Sequence, residues 1–211
     1  MVKKRLKRGL RVSRYIIYKE TLVDYRESLW SFIGAFVGIS LIAFFQSQLL
    51  TRQENIFLIG SFGASSVLVY GAIQSPMAQP RNLVGGHLIS AFIGVSVYKI
   101  FPDVIWFTAP LAVAGSIVFM QLTKTLHPPG GATALIAIIG SEKVKALGFA
   151  YVVSPVLTGA LILFAVAMIF NNMTAHRRYP TNRKFTARLK RMFTKKRVVA
   201  KALRNQGQPV G

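Results

Sequence analysis

Two stretches of this chain carry the residue types that recognise a small anion. One is His127-Pro128-Pro129-Gly130-Gly131-Ala132-Thr133-Ala134-Leu135, and the other is Gly60-Ser61-Phe62-Gly63-Ala64-Ser65-Ser66. An anion site needs N–H and O–H donors and no carboxylate beside them. Ser61, Ser65 and Ser66, with Gly63 among them, offer hydroxyls in one stretch. Thr133 with the Gly130 and Gly131 amides offers donors in the other. The two prolines cannot donate, and Pro128 pushes His127 out of helical geometry. A helix of about three turns restarts behind them, so its N–H groups and positive dipole end should face whatever lies there. His127 could donate to the anion, change charge near neutral pH, or cap this half-helix.

Further polar residues flank the two stretches. Gln121 and Gln79 are amides at one expected membrane level, donors at the mouth of a pathway. Arg81 and Lys124 each stand beside a half-site, where they would draw anions into a vestibule or anchor the interface. His87, next to Gly85-Gly86, either lines that vestibule or hydrogen-bonds a loop. His87 and His127 have no evident third ligand, so neither a metal site nor a cofactor is expected. The chain has no cysteine, which excludes disulfides and thiolate chemistry. With no carboxylate pair and no metal cluster, enzymatic activity is not expected.

Positioning these residues falls to a body that reads as membrane. Of 211 residues, 52% are hydrophobic, yet the formal net charge is +21. Position resolves the conflict: residues 1–28 hold nine of the 27 Lys and Arg, residues 171–211 hold twelve with no acid, and the middle is nearly uncharged. The expected organisation is a basic N-terminal arm (1–28), an all-α transmembrane domain (29–171) and a basic C-terminal tail (172–211). No cleavable signal is expected, so the first apolar run should stay as a span. The positive-inside rule puts both tails on the cytoplasmic side of the cell membrane, where they would meet anionic lipid. Neither tail shows a recognised nucleic-acid motif, so no specific nucleic-acid partner is expected.

Residues 29–50, 83–100, 104–123 and 146–170 read as full spans, the last interrupted by Ser154-Pro155 and Gly159. Residues 56–73 and the helix after Pro129 read as shorter, broken segments. The order of span, short interrupted helix, span therefore occurs twice, with Gly63-Ala64-Ser65-Ser66 echoing Gly131-Ala132-Thr133-Ala134. If all segments cross, the two units are inverted, and paired broken helices in two halves point to a transporter site. This reading favours about six membrane segments; the alternative is four spans plus two re-entrant half-helices. Gly34-x-x-x-Gly38 and Gly86-x-x-x-Ser90-x-x-x-Gly94 predict close helix contacts, and such faces also suggest a homo-oligomer.

Several of these motifs, in order, resemble the HPP family of integral membrane proteins: residues 60–65, Pro76-Met77-Ala78-Gln79-Pro80-Arg81-Asn82, Gly85-Gly86-His87, and Gln121 followed by residues 127–135. The likeness runs from about residue 28 to about residue 180. It implies four membrane-spanning helices, against the six favoured above, and it implies membrane transport. Some members of that family look like nitrite transporters of plastids and cyanobacteria. The expected function is a transporter or channel for a small inorganic anion, nitrite among the candidates. The alternative is a membrane scaffold or regulatory protein whose basic tails bind lipid or partners.

Overall fold

The computed structural model describes residues 25–48, 60–101, 104–174 and 176–181, and every element in them is helical. Most of both basic tails and the segment 49–59 lie outside the described residues. In chain order, α1 is Tyr25–Ser47, and α2 covers 60–66 and runs into a π-helical turn at Val67–Gly71. A 3-10 turn, Pro76–Ala78, leads into α3, Pro80–Ile100. Then come α4 (Ile105–Leu122), α5 (Pro129–Ile139), α6 (Glu142–Ala146) and α7 (Val152–Phe170).

Among the described residues, α1, α3, α4 and α7 are long and apolar enough to cross a membrane, and α5 is a shorter apolar helix. Large apolar side chains such as Phe32, Phe36, Trp106 and Ile169 point outward. That is the arrangement expected where lipid is the solvent and helices satisfy their own backbone. The element ends differ from the sequence reading for local reasons. α3 starts at Pro80 rather than at Leu83, because proline fits the first turn, where its missing N–H costs nothing. α7 breaks at Ser154, whose φ of −135° and ψ of 120° are the extended values favoured before a proline. Gly159 is no interruption: it lies within the helix, and a Cβ there would come 2.5 Å from the Phe62 ring.

The small-residue faces set the packing. α5 lies against α3 and α4. A Cβ at Gly94 would sit 2.6 Å from the Ala134 carbonyl oxygen, and one at Gly86 would sit 2.5 Å from His127 Cβ. Gly34 and Gly38 of α1 admit the Tyr70 ring from the π-helical turn, with Leu163 and Phe170 of α7 behind it. Both faces are therefore used inside one chain, and they carry no argument for a second copy.

The start of the expected C-terminal tail is part of this body. Asn171 Nδ2 donates to the Val69 carbonyl (2.8 Å), and Tyr179 OH donates to the Ala78 carbonyl (2.8 Å). The buried Arg177 guanidinium donates to the Tyr70 carbonyl (2.6 Å), the Glu27 carbonyl (2.9 Å) and Asn171 Oδ1 (3.2 Å), and lies 3.4 Å from the Glu27 carboxylate. Burial pushes that guanidinium below its ordinary value and the Glu27 carboxylate pushes it back up. Residues 171–181 thus form a strap that ties the ends of α1, α2 and α7 to the turn before α3.

Candidate functional site

Ser61 and Ser65 stand one turn apart on α2 and share a face. Thr133 stands in the first turns of α5, His127 in the bend before it, and His87 on α3. Packing brings the five together. Ser61 Oγ is 2.7 Å from Thr133 Oγ1, and Thr133 Oγ1 is 2.7 Å from His87 Nδ1. His87 Nε2 is 2.8 Å from Ser65 Oγ, and Ser65 Oγ is 2.9 Å from His127 Nε2. His127 Nδ1 ends the series 2.8 Å from the Met77 carbonyl. The imidazole centroids are 5.0 Å apart, and the Phe62 ring covers His87 at 4.9 Å.

One contact fixes all the protons. A carbonyl only accepts, so His127 Nδ1 carries hydrogen, and in the neutral ring its Nε2 is then an acceptor. Ser65 must donate to it, which leaves Ser65 Oγ to accept from His87 Nε2–H. His87 Nδ1 then accepts from the Thr133 hydroxyl, and Thr133 accepts from Ser61. Any other placement sets two lone pairs against each other. The neutral cluster is thus a directed chain from Ser61 to the Met77 carbonyl.

None of the five side chains belongs to a residue more than 1% exposed, so the chain is sealed from its surroundings. No described carboxylate approaches it: Glu27 lies at Arg177, and Glu142 is exposed beside Lys145. Among the described residues no three of His, Asp or Glu converge as a metal site.

The sequence reading named four of the five members for the site itself, Ser61, Ser65, His127 and Thr133. It put the fifth, His87, in a vestibule; the structure puts it at the centre, because the Gly86 face turns that part of α3 onto His127. The Gly130 and Gly131 amides are engaged by backbone. They donate to the carbonyls of His127 (2.8 Å) and Pro128 (3.0 Å), since the Pro-Pro bend turns those oxygens toward them. Gly130 serves instead as a contact, with Ser90 Oγ 2.6 Å from where a Cβ would stand. Ser66 donates to the Phe62 carbonyl (3.0 Å), and Gly63 faces open space. Gln121 and Lys124 are exposed beyond the end of the site. Gln79 is a staple, donating to Ile73 and Ser75 and accepting from Thr181 N. Arg81 donates to the Thr123 carbonyl (2.6 Å). Two participants escaped sequence reasoning. Tyr151 donates to the Thr133 carbonyl (3.0 Å), a role signalled only by a phenol inside an apolar run. The Met77 carbonyl is backbone and leaves no mark on the sequence.

Residues 20–180 match the family model described as HPP, transmembrane region. Two proteins of Dictyostelium discoideum, each named a transmembrane protein, are 44% and 41% identical to the chain over 160 residues, 74% of its length. The aligned regions make up 51% and 56% of those proteins, so the chain spans about half the length of the curated relatives it matches. No solved structure matches it.

Proposed function

This chain belongs to the HPP family of transmembrane proteins, and on that premise we propose that it moves a small inorganic anion across the membrane, with nitrite the first candidate. The observation that supports this most is the meeting of α2 with the short helix α5 deep in the body, Ser61 against Thr133 at 2.7 Å. Paired short helices around a polar centre are how many carriers build a substrate site. An anion entering there would replace the Ser61–Thr133 hydrogen bond and accept from both hydroxyls. Because the Ser61 hydroxyl is engaged by Thr133 and the Thr133 hydroxyl by His87, and both are covered, the geometry fits the closed stage of a carrier better than an open pore.

In this reading the two units of span, short helix and span surround the site. The eleven residues of α5 rise only about 16 Å, short of a hydrocarbon core of about 30 Å, which favours α5 as a half-helix beside the four full spans α1, α3, α4 and α7. The basic tails lie on the cytoplasmic side against anionic lipid. No catalytic step is assigned. Ser65 has His127 at the distance of a general base, but its Oγ is enclosed by two imidazoles, which leaves no approach for an electrophilic carbon.

The test is anion flux into proteoliposomes, nitrite against chloride, nitrate and formate, for wild type and Thr133→Val. We expect selective flux that falls at least about tenfold in the variant, the equivalent of one lost hydrogen bond to the anion. If well-folded wild type carries none of the four anions, the transport reading fails and the scaffold reading takes its place.

A further inference from the structure

Resting on the transport reading and going beyond it, we propose that Ser61, Thr133, His87, Ser65 and His127 form a proton relay that loads one proton onto His127 and so couples anion movement to proton movement.

In the neutral chain every donor points from Ser61 toward the Met77 carbonyl. Let one proton arrive at Ser61 Oγ. Ser61 passes its own hydrogen to Thr133, and Thr133 passes its own to His87 Nδ1. His87 then releases its Nε2 hydrogen to Ser65, and Ser65 passes its hydrogen to His127 Nε2. Four side chains have each gained one hydrogen and given one away, and His127 keeps the extra one as an imidazolium. Every contact between the five side chains survives with donor and acceptor exchanged, and His127 Nδ1 still donates to the Met77 carbonyl. The Ser61 hydroxyl, now turned from Thr133, finds the Pro129 carbonyl at 3.2 Å. Both polarities therefore satisfy every polar atom with no heavy atom displaced. A network that only held helices together would need one polarity, and the acceptor at the Ser61 end makes the second available.

Charge argues for coupling to the anion. Among the described residues, α2, the Pro76–Ala78 turn, α4 and α5 bring no titratable side chain to the chain, and α3 brings His87. Tyr151, ahead of α7, donates to the Thr133 carbonyl and stands outside the relay. Of the charged groups on the packed elements, Arg81 is turned to Thr123, Lys99 lies over the Phe149 ring, and Lys124 is exposed. Among the described residues no carboxylate offsets an imidazolium here, whereas an anion at the Ser61–Thr133 junction would. The proton and the anion would then enter as a neutral pair, and the proton would leave when His127 Nδ1 parts from the Met77 carbonyl.

The signature is the tautomer of His87. In full-length protein with 15N-labelled histidine, NMR should show His127 protonated at Nδ1 and His87 at Nε2 near neutral pH. The exposed His176 is assigned through His176→Gln. As the pH falls through the acid range, His127 should take a second proton while His87, without charging, switches to Nδ1–H at the same midpoint. Ser65→Ala should abolish the switch, and Ser65→Thr should restore it. In proteoliposomes holding an internal pH dye, whichever of nitrite, nitrate, chloride and formate enters should bring protons with it, and Ser65→Ala should lose that uptake. The relay is overturned if His87 keeps one tautomer while His127 titrates, if His127 takes no proton across this range, or if anions enter without protons. Linked tautomers with no anion flux would support the relay and overturn the transport reading.

Discussion

Tyr151 shows how much one hydroxyl contributes at the residue scale. Its phenol is fully buried and holds the Thr133 carbonyl from the far side of α5. Tyr151→Phe should cost about 1 kcal/mol, the usual net contribution of such a bond, read as a fall of a few degrees in the melting of the detergent-solubilised protein. Residue types told much of this site in advance. Hydroxyls at 61, 65 and 133 and an imidazole before Pro-Pro were legible because an apolar segment has little other reason to hold them. The partners of the Gly130 and Gly131 amides were not legible, because spacing shows a helix start but not that the bend behind it supplies carbonyls to them. His87 misled for a related reason: its depth depends on α3 beginning at Pro80, and a proline before a span reads more readily as loop.

At the scale of elements, the fold rests on how closely α3 and α5 approach. Gly94→Ala would drive a Cβ into the α5 backbone, 2.6 Å from the Ala134 oxygen and 3.0 Å from its Cα. Backbone cannot step aside as a flexible side chain can, so the helices must part, at a cost of about 1–3 kcal/mol. Gly63→Ala is the matched opposite. Nothing lies within 4 Å of its Cβ position, and alanine in a helix should gain about 0.5–1 kcal/mol. Unfolding of the two variants side by side in one detergent would check both signs. The four-residue period of Gly86, Ser90 and Gly94 disclosed a contact face in the sequence. It could not disclose the partner, since a small-residue stripe serves a neighbouring helix and a second copy of the chain equally well.

Across the whole molecule, the strap 171–181 joins parts that are distant in sequence. Arg177 reaches two backbone carbonyls and Asn171, so Arg177→Met would remove one donor from each of the three, with the Tyr70 carbonyl keeping Ser31 Oγ at 2.7 Å. The expected loss is about 2 kcal/mol, with little added by the Glu27 ion pair, whose carboxylate side is 38% exposed and screened. Limited trypsin digestion would report it as faster cleavage after Arg178. This closure was not legible in the sequence: the run after Asn171 is basic enough to read as solvated tail, and only the folded body shows carbonyls of Val69, Tyr70 and Ala78 awaiting donors. The hydroxyl–imidazole chain itself terminates on backbone oxygens at both ends, Met77 on one side and Pro129 on the other. Backbone is the one part of a protein that point mutation does not rewrite. The termini therefore survive drift at position 77, where any residue supplies the same oxygen, while the interior needs a hydroxyl at 61, 65 and 133 and an imidazole at 87 and 127. Divergent descendants of this sequence would keep a hydroxyl or an imidazole at each of those five positions and vary at position 77.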